Sequence, residues 1–313
     1  MMDLRRLRLL REVASWGTIT AAAEASHLTP SGVSQHLTLL EREVGVPLFH
    51  RDGRRLRLTD AAERLVTHTE RILAEMESAE AAVASLSDTV SGSLRLAAFP
   101  TAARALAPSA MAACRLDYPA LRIALEEREA DESVTALRQR QIDMAIIYEY
   151  NVLPPMEDPG VELIPLLDEP ILATLPPDSP APKPGEPVAL TMLRDQPWIA
   201  PEDDSACWAA IERACAFAGF TPHLEHTSND FTVIHALVHA GLGVTLMPQL
   251  AVEPLATETS MHPIAEFPLR RHLSIAVRRG ANNHPAIAAL THALVDVARR
   301  TADDLMSRIR EGL

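Results

Sequence analysis

The stretch Thr29–Leu37, TPSGVSQHL, decides how the chain is read. Thr29 is a residue type that caps helices, and Pro30 suits the first helical position, where no N–H is needed. Gly45 suits the far end, because glycine adopts the left-handed conformation cheaply. Between these marks Val33, Leu37, Leu40 and Val44 recur at helical spacing and form one apolar face. The opposite face carries Ser31, Ser34, Gln35, Thr38 and Arg42, with His36 on a flank. Serine and threonine are mediocre helix formers and gain nothing on a merely solvated surface. Short donors and acceptors do suit a helix that lies against base edges and phosphates in a major groove. A solvated face is the competing reading, so the neighbouring sequence must decide.

Upstream, LRRLRLLREVAS (4–15) reads as an amphipathic helix with Leu4, Leu7 and Leu10 inward. After Trp16-Gly17, TITAAAEASHL reads as a short alanine-rich helix, followed by a tight turn into the stretch above. Two short helices joined by a brief turn, the second with a polar outer stripe, make a helix-turn-helix. Downstream, VPLFHRDGRRLRLTDAA holds the hairpin signal Asp52-Gly53 among Arg51, Arg54, Arg55 and Arg57. Such an arginine-bearing wing is expected to reach phosphates or a minor groove.

Residues 60–87 contain neither Gly nor Pro and read as one helix of about 40 Å. Leu65, Thr69, Ile72, Met76, Ala79, Val83 and Leu86 alternate steps of four and three, the seam of a helix that pairs with another long helix. Docking on its own domain is the alternative; beside a DNA-binding unit, self-pairing is expected, since a dimer reads two half-sites. Ser91-Gly92-Ser93 marks a linker.

Beyond it strands and helices alternate. SLRLAAF (93–99), a helix from about Thr101 to Arg115, LRIALEERE, DESVTALRQRQ and DMAIIYEY form a first set. A proline-rich region, 154–187, interrupts. A second set runs through PWIA, a helix from about Ser205 to Ala218, PHLEHT, a helix 230–240 and GVTLMP. The chain closes on RHLSIAVRR and a helix from Pro285. This grammar predicts a parallel sheet covered on both faces, arranged as two lobes with a cleft at the strand ends.

Composition is consistent with that plan. The 313 residues suffice for two or three domains, and 47% are hydrophobic. No apolar run reaches the length of a membrane span and no secretory leader is visible. Cys114, Cys207 and Cys215 lack metal-ligand or redox spacing, which fits a reducing cytoplasm. Net charge is −13, yet residues 1–60 carry nine Arg against seven acids, so an arginine-bearing head is joined to an acidic body. That body is expected to stay off phosphates while the head approaches them.

With these features the chain resembles the LysR-type transcriptional regulators over essentially its whole length. The resemblance is carried by AAEASHLTPSGVSQHLTLLEREVGVPLFHR and LTDAAERL, then by AGFTPHLEHTSND and LVHAGLGVTLMP. It implies an all-α head of winged helix-turn-helix type (1–58), a dimerising linker helix (59–90) and a two-lobed α/β effector domain like the periplasmic binding proteins (91–313). Lobe I would comprise about 91–165 and 267–313, and lobe II about 166–266. It further implies homodimers assembled into tetramers, double-stranded DNA and a small-molecule effector as partners, RNA polymerase as a further one, and no cofactor, metal, membrane or catalysis. The implied DNA readers are Ser31, Ser34, Gln35 and His36, with Pro30 at the helix start and Arg51 on the wing side; Thr38 and Arg54 join them from the stripe and the hairpin. Pro30 stands where many members have Gln, and Gln35-His36 where many have Arg-Gln. Gln35 has the chemistry to read adenine bidentately.

For the effector, the resemblance points to helix starts after strands. These are Pro100, Thr101 and Ala102, then Glu129, then Tyr148 after the third strand, with Pro201, Asn229 and Phe231 from the second lobe. Thr101 admits two readings, a helix N-terminus holding a carboxylate or a plain N-cap. Glu129, Asp203, Asp204 and Asp230 favour an amine or a neutral ligand instead. His235 and His239 have metal-compatible spacing, but Ala236 stands where a zinc protease needs Glu. Cys207, Cys215, His223 and His226 match no compact ligand pattern. Two other classes remain open: a cytoplasmic small-molecule binder or enzyme using the α/β lobes alone, and a DNA binder without effector.

Overall fold

The computed structural model describes residues 2–52, 55–180, 182–183, 186–202, 205–252 and 259–311. The first three helices are α1 (Leu4–Trp16), α2 (Ile19–Ala25) and α3 (Pro30–Val44). Each starts on a side-chain cap: Asp3 accepts from the Arg5 N–H, Thr18 from Ala21 and Thr29 from Gly32. Glycines in the left-handed conformation, Gly17 and Gly45, end α1 and α3. Leu7, Leu10, Val13, Ala22, Val33, Leu37 and Leu40 meet in one core, where each fully buried Leu or Val contributes roughly 1.5–3 kcal/mol. Strands β1 (Phe49–Asp52) and β2 (Arg55–Leu58) pair antiparallel as the wing.

Helix α4 (Asp60–Ala84) starts on Thr59, whose side chain accepts from the Ala62 N–H. It ends before Leu86, the last position of the expected seam. One face of α4 turns toward the α/β body: Glu70, Glu77 and Ala81 are buried, and Gly280 lies so close that a Cβ there would sit 2.3 Å from the Ala74 carbonyl oxygen. The opposite face leaves Ile72 and Val83 exposed.

The body begins with β3 (Gly92–Ala98), α5 (Pro100–Ala105), α6 (Ala107–Asp117), β4 (Leu121–Glu127), α7 (Ala130–Arg138) and β5 (Met144–Tyr150). The helix expected over Thr101–Arg115 is two helices that break at Leu106, with Pro108 in the first turn of the second. Next comes β6 (Val161–Leu175), a long strand inside the region read as a proline-rich interruption. Then follow β7 (Pro197–Ala200), α8 (Ala206–Phe217), β8 (His223–Thr227), α9 (Phe231–His239), β9 (Thr245–Pro248), α10 (Gln249–Val252), β10 (Ser260–His262), β11 (Arg270–Arg278) and α11 (Pro285–Glu311).

The main sheet is mixed, which corrects the expectation of a parallel one. Strands β4, β3 and β5 are parallel neighbours, then β11 runs antiparallel between β5 and β6. Residues 161–170 of β6 form the edge beside β11, and 171–175 continue between β9 and β10. One strand thus serves both lobes. Its prolines, Pro165 and Pro170, sit where β11 is the strand's only ladder partner among the described residues, so their missing N–H groups break no second ladder there. The first lobe packs around Leu96, Phe99, Met144, Ile146, Ile275 and Leu290, the second around Trp198, Trp208, Ile211 and Leu246. Among the described residues no helix is long and apolar enough to cross a membrane.

Candidate nucleic-acid interface and effector cleft

Packing of the apolar stripe turns the other side of α3 outward. Pro30, Ser31, Ser34, Gln35, Thr38 and Arg42 are exposed, and His36 is half-buried. The hydroxyls of Thr29 and Ser31 lie 3.1 Å apart at the helix start. The Thr38 hydroxyl donates to the Ser34 carbonyl, so it faces outward mainly as an acceptor and a methyl group. Among the described residues the buried Nδ1 of His36 has no hydrogen-bond partner. The surface is therefore a shallow row of neutral donors and acceptors that ends on the cationic Arg42, able to approach a polyanion closely. Arg51 lies on the wing strand β1; its side chain and all of Arg54 lie outside the described residues.

A second constellation lies where the lobes join. Arg271 on β11 is buried; its guanidinium donates to Glu169 on β6 from Nε at 2.8 Å and to the Thr101 hydroxyl from Nη2 at 2.9 Å. The other Glu169 oxygen accepts from the Leu250 N–H at 2.7 Å. The guanidinium also lies 4.9 Å from the Phe99 ring centre and 5.2 Å from that of Tyr148, distances at which a cation is attracted by the ring face. Tyr148 in turn donates to Glu129 at 2.9 Å.

Burial raises the Glu129 carboxyl above its ordinary value, against the pull of the Tyr148 hydrogen bond and of Arg271. The Tyr148 phenol is raised by its own burial and by Glu129, so it stays a donor. Across the cleft, Cys207 on α8 is hydrogen-bonded to Tyr150, and burial pushes its thiol up. Cys215, on the same helix, is pushed up to about 12 by burial.

Thr101, Tyr148 and Glu129 from the expected effector set thus meet around Arg271, while Ala102 is buried behind them and Pro100 is half-buried. Thr101 is not an N-cap: Phe99 holds that position without a side-chain bond, and the Thr101 hydroxyl is committed to Arg271. The lobe II candidates form a separate group. Asn229 is exposed and its Oδ1 accepts from the Glu202 N–H at 3.2 Å, Pro201 is buried, and Phe231 packs among the lobe II core clusters. Asp230 caps α9, and Asp203 and Asp204 lie outside the described residues. His235 shares a 2.8 Å hydrogen bond with Thr259.

Sequence reading missed Arg271 and Glu169. A signal existed: Arg271 has the same parity as Leu273, Ile275 and Val277, all of which point inward from β11.

A winged helix-turn-helix on a long helix, followed by two α/β lobes with a polar joint, defines a DNA-binding regulator with a sensor domain. Family comparison gives the same answer for both parts. Residues 4–63 match the bacterial regulatory helix-turn-helix protein, lysR family, and residues 87–299 match the LysR substrate binding domain. The chain belongs to the LysR family of transcriptional regulators. It is 28% identical over 299 residues to the nitrogen assimilation regulatory protein nac of Escherichia coli K12, covering 95% of each chain. It is 30% identical over 262 residues to a probable hydrogen peroxide-inducible genes activator of Mycobacterium avium, covering 83% of this chain and 82% of that one. The fold is also that of an H2O2-bound cysteine mutant of OxyR from Corynebacterium glutamicum, with TM-score 0.62, 24% identity, and 98% and 95% of the two chains covered. Full-length BenM gives TM-score 0.58 at 20% identity, over 96% of this chain and 98% of that one.

Proposed function

We propose that this LysR-type regulator reads double-stranded DNA with α3 and responds to a small molecule held between its lobes. The exposed polar stripe of α3, neutral from Ser31 to Thr38, carries the reading. Ser31, Ser34, Gln35 and His36 contact the groove, Pro30 sets the helix start, Thr38 lies along the backbone, and Arg51 and Arg54 reach phosphates from the wing. The exposed Ile72–Val83 face of α4 pairs with a second copy, and pairs of dimers form tetramers. The head takes 1–58, the linker 59–90 and the effector domain the rest, with lobe I at about 91–165 and 267–313 and lobe II at about 166–266. It works in the cytoplasm without a catalytic step, with RNA polymerase as a further partner.

The effector would sit against Pro100, Thr101, Ala102, Glu129 and Tyr148 on one side and Pro201, Asn229 and Phe231 on the other. Because β6 is shared by the lobes, a ligand binding better to one lobe orientation shifts the population of both. Peroxide sensing through Cys207 has less support: the thiolate is the reactive form, and burial keeps this thiol protonated.

The test is the salt dependence of binding to a selected operator fragment. A working head loses affinity along a straight line in log K against log salt. Retention insensitive to salt, or none at low salt, would favour the lobes acting alone.

A further inference from the structure

Between head and body lies a cavity of about 290 Å3 that the regulator reading does not use. Its walls are α1 and the α2–α3 turn of the head, the middle of α4, and the ends of α7 and β11 on the body. Those walls are unusually cationic. The α1 helix contributes Arg5, Arg8 and Arg11, and the body contributes Arg138, Arg140, Arg278 and Arg279, against Glu12, Glu70 and Glu77.

The acids are already taken. Glu12 pairs with Arg11. Glu70 lies 3.9 Å from both Arg11 and Arg138, and Glu77 lies 2.7 Å from Arg140 and 2.8 Å from Arg278. Arg279 donates to the carbonyls of Pro159 and Val161, not to an acid. The side chains of Arg5 and Arg8 enter no ion pair among the described residues. The Arg138 guanidinium already pairs through Nη1 with Asp158 at 3.1 Å, but among the described residues its buried Nε–H has no acceptor, and such orphaned donors are rare enough in folded proteins to mark an unfilled requirement. Arg8 is half-buried, and its pKa is lowered by burial first and then by Arg140 and Arg11, which outweigh the opposite pull of Glu77 and Glu80. A cation desolvated among cations is stabilised by an anion brought to it.

We propose that this cavity is a second ligand site, taking a small multivalent oxyanion of phosphate or dicarboxylate type. Arg5 and Arg8 of the head grip it from one side and Arg138 and Arg279 of the body from the other. The guanidinium fork matches both oxyanion classes bidentately. The volume falls at the lower end of small-molecule pockets, which run from about 300 Å3, so the ligand is compact. Occupancy bridges head and body and fixes the angle between them. The site is separate from the interlobe cleft and from the outward face of α3, so it stands or falls independently of both.

The test uses the full chain without DNA. Thermal unfolding is followed in increasing pyrophosphate, or succinate, against sodium chloride of matched ionic strength. A saturable rise in Tm beyond the chloride control is expected for at least one oxyanion, and which one gives the larger rise tells phosphate from carboxylate. Arg8→Gln should weaken the apparent affinity at least tenfold and Arg5→Gln several-fold, while Arg115→Gln on the exposed side of α6 leaves it unchanged. In chloride alone Arg8→Gln should unfold no earlier than the parent, because it removes like-charge repulsion. A rise equal to that in chloride for both anions, or a saturable rise that survives in the Arg5→Gln/Arg8→Gln double variant, overturns the proposal.

Discussion

Arg271 and Glu169 face each other where the two lobes join, with guanidinium Nη2 2.6 Å from carboxylate Oε1 and side chains 2% and 1% exposed. One stands on β11 and the other on β6, the strand that both lobes share. Any change in lobe angle has to be accommodated around this pair. Removing Arg271 alone leaves Glu169 buried and uncompensated, which typically costs 3–5 kcal/mol. Arg271→Ala should therefore lower the stability of the effector domain by about that much in urea unfolding. Arg271→Met with Glu169→Leu should cost less than the single change, although it orphans the Leu250 N–H.

The Glu129 carboxyl is raised by burial, and this fixes the sign of a pH effect. A carboxyl whose folded pKa exceeds its unfolded value binds more protons in the native state. Stability therefore falls as pH rises from the ordinary value of 4.5 through the folded one. Glu129→Gln, which still accepts from Tyr148, should unfold at a higher temperature than the parent above that range and at the same temperature well below it. Equal Tm differences at acid and neutral pH would contradict this assignment.

On α3, Gln35→Ala removes a bidentate group of a kind worth roughly 1–3 kcal/mol in base discrimination. Because the residue is exposed, unfolding free energy should stay within about 0.5 kcal/mol of the parent value, as surface changes usually do. Anisotropy titrations of operator and scrambled DNA should show specific binding weakened and non-specific binding kept. An unchanged base preference would remove Gln35 from the reading face.

The two faces of α4 separate self-association from docking in cis. Ile72 and Val83 are 42% and 70% exposed, so Ile72→Asp with Val83→Asp should shift the sedimenting species toward monomer with little change in Tm. Gly280, at φ +90, meets the Ala74 carbonyl oxygen on the other face. Gly280→Ala should destabilise by at least about 1 kcal/mol while leaving the oligomer intact.

Local chemistry explains how much of this was legible. Caps, a first-turn proline and terminal glycines punctuate the head: Thr29, Pro30, Gly17 and Gly45 are legible as limits, while Asp3, Thr18 and Thr59 turn out to cap α1, α2 and α4 in the same way. The strand β6 was hidden because Pro165 and Pro170 argue against a strand, and only the ladder shows that they fall on an edge. The strand β11 was legible in RHLSIAVRR, but its antiparallel direction was not, because strand direction is set by long-range pairing. The cleft was half legible: Thr101 and Glu129 follow strands as expected, whereas Tyr148, expected after the third strand, lies within β5 and pairs with Leu273; the residue all three gather around comes from β11, some 120 positions beyond Tyr148 in the chain. Partner identity across such a distance is decided by packing. The inward parity of Arg271 was the one local clue.

The most direct measurement is selection of genomic fragments by the purified full-length protein over a range of salt. The account predicts enrichment of a two-fold symmetric site, with affinity falling steeply as salt rises and enrichment lost in Gln35→Ala. Uniform retention of all fragments, or the same enriched site in that variant, would contradict the claim that the exposed stripe of α3 reads DNA.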